Sequence, residues 1–83
     1  MIIDFDLEYF LLAKEIKTDG VKVKTMSGCL VQYLEVEDSR QILTGVVYCD
    51  GYLERFTWSL DGKLGLHPTQ LDLYIEINPE KIL

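Results

Sequence analysis

Apolar residues near the start of the chain recur with the spacing of an α-helix. Four of them lie three or four positions apart or side by side: Tyr9, Leu12, Ala13 and Ile16. Further apolar residues widen this stripe, acidic residues precede it, and lysines followed by Asp19-Gly20 end it. The pattern predicts a helix over about residues 6–17 with a broad buried face.

After Gly20 the pattern changes from the helical period to strict alternation. "VKVKT" at 21–25 places apolar and basic residues on opposite sides of a strand. Turn signals separate the later apolar runs, and Asp50-Gly51 is the strongest of them. The predicted strands cover about residues 21–25, 29–37, 42–49, 52–60 and 71–77.

These elements predict an α+β fold in a single domain, 1–83. Short turns join antiparallel neighbours, because parallel pairs need crossovers of about a dozen residues. We therefore expect a β-meander of about five strands, curled into a sheet whose apolar face packs on the N-terminal helix. Trp58 shares that face with Phe56 and is predicted to anchor the core.

The closing strand, "LDLYIEI" at 71–77, alternates most regularly, and its outward side is the candidate interaction face. Its aliphatic residues point inward, so Asp72, Tyr74 and Glu76 are predicted to face solvent. An aromatic residue framed by two acids suits a protein interface, since tyrosine is frequent at interface hot spots. A single exposed aromatic residue is also ordinary, so a plain solvated surface is the competing interpretation.

The balance of charge limits the kinds of partner. Fourteen acidic residues against eight basic ones give a formal net charge of -6. This sign repels nucleic-acid phosphate and anionic lipid, so we predict no direct binding to nucleic acid or membranes, and it favours a protein partner with a basic surface. If "VKVKT" or "LDLYIEI" forms an edge of the sheet, that edge would allow a homo-oligomer.

The first residues and the cysteines bear on the compartment. "MIIDFDLEYF" carries acids where a signal peptide would begin with basic residues, and no apolar stretch reaches the roughly 18 residues of a membrane-spanning helix. We therefore expect a cytoplasmic protein. In that reducing compartment Cys29 and Cys49 are interpreted as buried free thiols, with a disulfide as the alternative. Two cysteines and one histidine do not complete a four-ligand zinc site.

Residue types that could support catalysis are few. Ser59, His67 and Asp72 match a hydrolytic triad by type alone, but His67 lies in a polar connection where a solvated histidine is the ordinary outcome. The acidic corner "EVEDS" at 35–39 lacks the glycine and the further ligands of a calcium loop. We predict that the chain is not an enzyme and that it binds no cofactor or metal.

Short motifs follow one another in a recognisable order along nearly the whole chain. They are "FDLE" (5–8), "VKT" ahead of the Ser27-Gly28 turn, "ILTGVV" (42–47), "DG" (50–51), "LDGK" (60–63) and "LDLYIE" (71–76). In this order they resemble a group of small uncharacterised proteins encoded by phages and prophages, many of them from gut bacteria. "TMSG" and "CLVQYL" depart from that pattern, because the first lacks its charged turn and the second its arginine. The resemblance implies a mobile-element protein made in a bacterial cytoplasm.

Two functions follow as hypotheses. The first is a non-enzymatic protein-interaction module that uses an acidic face around Tyr74. The second is an acidic mimic of nucleic acid that inhibits a host defence or regulatory enzyme by presenting carboxylates in place of phosphates. The mimic requires a cluster of acids on one surface, drawn from Asp4, Glu8, Glu15, Glu35, Glu37 and Glu54.

Overall fold

The structure, a computed structural model, describes residues 1–82 as one α-helix and an antiparallel sheet of six strands that does not close. The strands are β1 (Ile2–Asp4), β2 (Val21–Thr25), β3 (Leu30–Glu37), β4 (Ile42–Cys49), β5 (Tyr52–Ser59) and β6 (Leu73–Ile77). The helix α1 (Leu7–Ile16) connects β1 to β2, and a short 3-10 helix (Pro79–Lys81) follows β6. The predicted α+β class is confirmed.

The strand order β1-β6-β2-β3-β4-β5 extends the predicted meander at one end. β2 to β5 follow one another as expected, but β6 returns to lie between β1 and β2. β1 was not predicted, because three residues are too few to display an alternation. Neither "VKVKT" nor "LDLYIEI" is an edge, so neither strand meets the condition stated above for a homo-oligomer; the edges of the sheet are β1 and β5.

The helix begins and ends where the sequence predicts. Asp6 caps it by accepting a hydrogen bond from the Tyr9 backbone N–H at 3.0 Å, and Lys17 ends it in a left-handed conformation. The prediction that this helix has a broad buried face is wrong. Ala13 is its one buried residue, and Leu12 and Ile16 are 58% and 57% exposed. Within residues 1–82 no helix has both the length and the hydropathy to cross a membrane.

The helix covers little of the sheet because the connection between β5 and β6 covers part of the same face. The Leu73 backbone N–H donates to Gly62 O at 2.9 Å, and the Trp58 indole N–H donates to Leu71 O at 2.8 Å. These bonds hold the connection against the core. Trp58 is only 1% exposed, which confirms it as a core anchor. Gly45 on the facing strand makes room for it: a Cβ there would lie 3.3 Å from the indole ring.

A disulfide between Cys29 and Cys49 joins the start of β3 to the end of β4, with 5.2 Å between the Cα atoms. The predicted pair of free thiols is therefore wrong. The reason is an irregularity in β3 between Gln32 and Glu35 that shifts the pairing with β4 by one residue. The shifted register pairs Leu30 with Tyr48, and the two cysteines follow directly opposite each other. Local patterns in the sequence do not reveal such a shift.

Candidate protein-interaction face

The two faces of the sheet differ in what covers them. The helix and the β5–β6 connection both lie on the side that carries the buried residues Ile75, Leu43 and Trp58. The other side, here called the open face, is crossed by one row of residues that are paired from strand to strand. The row consists of Asp4, Tyr74, Lys24, Leu30, Tyr48 and Leu53.

One half of this row is apolar, with Leu30 half-buried and the other two residues exposed. Leu30, Tyr48 and Leu53 are direct neighbours on β3, β4 and β5; Tyr48 is 48% exposed and Leu53 is 66% exposed. Val46 lies beside them on the same face of β4 and is half-buried. Contiguous apolar residues at a surface mark sites of protein contact, and aromatic residues are enriched there. The sequence did not predict this group, because aligning it requires the shifted register of β3 and β4.

The other half of the row contains Tyr74, one of the three residues predicted from the closing strand. Glu76 lies on the same face two positions further along β6. The alternation predicted the side of the sheet correctly for both residues, but they are half-buried and not fully exposed to solvent. Glu76 accepts a hydrogen bond from Lys24 Nζ at 2.8 Å. That bond lowers the pKa of the Glu76 carboxyl and raises the pKa of Lys24. A neighbouring cation thus offsets the Glu76 charge, while Asp4 stands exposed at the end of the row.

Asp72 does not belong to this face. It is 2% exposed and lies one residue before β6 begins. Its carboxylate accepts hydrogen bonds from the backbone N–H of Leu64 at 3.0 Å and of Thr69 at 3.2 Å, and from Thr69 Oγ1 at 2.9 Å. The Leu64 bond is the main cause of a lowered Asp72 pKa. The prediction that Asp72 faces solvent is wrong, because the strand alternation does not extend back to this residue.

The buried carboxylate holds the β5–β6 connection together, and the backbone of that connection bonds to a neighbouring turn. Asp72 O accepts a hydrogen bond from the Met26 backbone N–H at 2.9 Å, and Gln70 O accepts one from Ser27 at 3.0 Å. These bonds tie the turn between β2 and β3 to the connection between β5 and β6. A threonine three positions before an aspartate is typical of turns in which these side chains bond to the nearby backbone. This spacing is the signal in the sequence that could have indicated the buried position of Asp72.

The residue types of a hydrolytic triad are not brought together. The Ser59 hydroxyl bonds to the Asp61 carboxylate and to Lys63 O, Asp72 is held by Leu64 and Thr69, and His67 is exposed. The hydrogen bond that Ser59 donates to the Asp61 carboxylate is also the main reason that the pKa of Asp61 is lowered.

The acidic corner at 35–39 contains an ion pair. Arg40 donates two hydrogen bonds to the Glu37 carboxylate, at 2.6 and 2.7 Å, and they lower the pKa of Glu37. In the part of the chain that the structure describes, no three His, Cys, Asp or Glu side chains are grouped closely enough to hold a metal ion.

The acids that a nucleic-acid mimic would need are divided between the two sides of the sheet. Asp4, Glu35 and Glu37 alternate onto the open face, and Glu54 lies opposite Val47 on the other one. The remaining two, Glu8 and Glu15, are on the helix, which covers the core side. The fold therefore does not gather these six carboxylates on one surface.

No family model, no curated protein and no solved structure matches this chain.

Proposed function

We propose that this protein is a non-enzymatic protein-interaction module that binds a partner protein through the open face. The observation that carries the proposal is the side-by-side row of Leu30, Tyr48 and Leu53 at the surface. Tyr74 and the exposed Asp4 continue the row on the other side of Lys24. The matching partner presents apolar side chains to the first group and a basic side chain to Asp4.

The geometry favours binding for an entropic reason. These side chains project from strands that are paired on both sides, or on one side for the edge strands β1 and β5, so their backbones are ordered before any partner arrives. A preorganised surface avoids part of the ordering cost of association. Tyrosine adds a large contact area with few rotatable bonds, so we expect Tyr48 to contribute most to binding.

The origin and compartment of the protein enter as parts of this proposal. The resemblance to small phage and prophage proteins supports an accessory factor that acts on a protein of a bacterial host. The proposed compartment is the cytoplasm, whereas the Cys29–Cys49 disulfide is a bond that oxidising compartments preserve. Rapid alkylation of thiols in intact cells would decide between the two, because a reducing cytoplasm leaves both cysteines reactive.

Affinity capture with matched variants tests the interaction. The tagged wild-type protein is compared with Tyr48→Ala on the open face and Tyr52→Ala, an exposed tyrosine on the opposite side of β5. A partner retained by the wild type and by Tyr52→Ala, and then measured in purified form, should lose roughly tenfold in affinity with Tyr48→Ala. Circular dichroism verifies that each variant is folded.

Two results would count against the proposal. One is a partner that binds all three proteins equally, and the other is a partner lost as much with Tyr52→Ala as with Tyr48→Ala. The alternative of a nucleic-acid mimic has a separate signature: a captured nucleic-acid enzyme that salt releases and that Tyr48→Ala leaves bound.

A further inference from the structure

The sheet is incompletely paired between β2 and β3. Within residues 1–82 the two strands pair at only two positions, Val23 with Val31 and Lys24 with Leu30. Tyr33 then adopts a left-handed backbone conformation, with φ of 56°, and β3 continues to Glu37 along β4 alone. The flank of β3 at 32–37 that faces β2 has therefore no strand beside it.

A groove of about 580 Å³ lies along this flank. It is bounded by β3, by the first residues of β2 and by α1, and much of its lining is apolar: Phe10, Ala13, Val21, Val23, Val31 and Leu34. Lys14 Nζ reaches in from the helix and donates a hydrogen bond to Leu34 O at 3.3 Å. A side-chain ammonium thus occupies a position where an adjacent strand would donate a backbone N–H.

The charge of the groove is opposite in sign to that of the whole chain. Lys14, Lys17 and Lys22 line it, three of the eight basic residues, against the two acids Asp19 and Glu35. The chain as a whole carries -6. A ligand drawn to this site by charge is therefore negative.

We propose that the groove accepts an extended acidic segment of a partner protein, which adds as a strand to the 32–37 flank of β3. Strand addition supplies backbone hydrogen bonds to the unpaired flank, and the apolar lining and the three lysines select the side chains. About six residues of extended chain span this flank at roughly 3.3 Å per residue. The site adjoins the open face at Leu30, which lines the groove, but it uses the flank of β3 and the helix and goes beyond the function proposed for that face.

Titration of the isotope-labelled protein with a synthetic peptide tests the proposal. The probe is a capped hexapeptide in which glutamate and valine alternate. We expect backbone amide shifts at 32–36 and along α1, together with slowed amide exchange in β3, at peptide concentrations up to about 1 mM. A second peptide with a central proline lacks one backbone donor and should bind at least several-fold more weakly.

Matched charge reversals identify the contribution of the lysines. Lys22→Glu, at an exposed position of β2 beside the groove, should weaken binding of the hexapeptide roughly tenfold. Arg55→Glu makes the same change on β5, far from the groove in the strand order, and should leave the affinity within about twofold. Tyr48→Ala should also leave it unchanged, which separates this site from the open face.

Four results would overturn the proposal. They are the absence of amide shifts at 32–36 up to about 1 mM peptide, shifts confined to the open face, and equal binding of a hexapeptide with lysine in place of glutamate. The fourth is an equal response to octanoate, which would identify the groove as a site for a small anionic amphiphile.

Discussion

The β4–β5 pair and the β2–β3 pair are both hairpins, but their strands are paired over different lengths. β4 and β5 pair continuously over eight positions, from Cys49 opposite Tyr52 to Ile42 opposite Ser59. β2 and β3 pair over two positions and then separate. The β4–β5 hairpin carries Tyr48 and Leu53, the two most exposed apolar residues of the open-face row, and the separation of β2 from β3 leaves the groove.

The difference arises from where each hairpin places its residues with positive φ. In β4–β5 they are Asp50 and Gly51 at the turn, so their conformation directs the two strands into register from the first pair. In β2–β3 Gly28 serves the turn, but a second such residue, Tyr33, lies inside the strand. A left-handed residue within a strand bends it away from its neighbour. The left-handed residue thus lies just beyond the last paired position, where β3 separates from β2 and the groove begins.

The largest expected loss of stability comes from a substitution in the β4–β5 hairpin. Trp58→Ala removes the indole that packs over Gly45 and that donates to Leu71 O, and it leaves a cavity in the core. The free energy of unfolding should fall by about 3–5 kcal/mol. Chemical denaturation monitored by circular dichroism measures it. Trp58→Phe retains most of the volume and should lose less; an equal loss would mean that the hydrogen bond, not the packing, dominates.

The second effect concerns β3, which lies between β2 and β4 in the sheet. The Cys29–Cys49 disulfide closes a loop with a sequence separation of 20 and holds β3 against β4 where β3 meets β2. Replacing both cysteines by alanine should cost roughly 3 kcal/mol. Reductant should destabilise the wild type by a similar amount and leave the double variant unchanged. If reductant affected neither protein, the bond would be absent in solution.

The sequence predicted those parts of the fold that depend on neighbouring residues. The bounds of α1, the order of β2 to β5 and the burial of Trp58 all follow from local periodicity and turn residues. β1 and the position of β6 depend on pairing residues 2–4 with 74–76, and no local pattern encodes a contact across that distance. The exposure of α1 was also misjudged, because the coverage of the core by another segment is not visible in the helix's own pattern.

The candidate sites divide in the same way. The orientation of Tyr74 and Glu76 follows from strand alternation and was predicted. Asp72 lies outside the strand, in a turn that its own side chain stabilises, and so it was assigned to the wrong environment. The alignment of Leu30 with Tyr48 depends on the irregular residue Tyr33, whose left-handed conformation has no signature in its residue type.

The third effect concerns the connection between β5 and β6, which the Asp72 carboxylate holds together. Asp72→Ala leaves the backbone N–H groups of Leu64 and Thr69 without their acceptor and should cost roughly 2–3 kcal/mol at neutral pH. Because the folded-state pKa of Asp72 is lowered, this stabilisation is complete above its usual pKa of about 4 and is lost as the pH falls through the folded-state value. The difference between wild type and Asp72→Ala should therefore stay constant from neutral pH to about pH 5 and narrow below about pH 4. A difference that widened on acidification would contradict this role.

The smallest effect distinguishes the two hairpins most directly, because one substitution is made in both. Tyr33 and Tyr48 are both exposed tyrosines in strands, at 79% and 48%, but only Tyr33 has a positive φ. Valine is disfavoured in the left-handed region and favoured in an ordinary strand. Tyr33→Val should therefore lower the free energy of unfolding by about 1 kcal/mol, whereas Tyr48→Val should change it by less than about 0.5 kcal/mol. If Tyr33→Val were instead neutral, with new exchange protection at 33–36, β3 would have straightened onto β2. The groove would then be a consequence of that one side chain and not of the packing of α1.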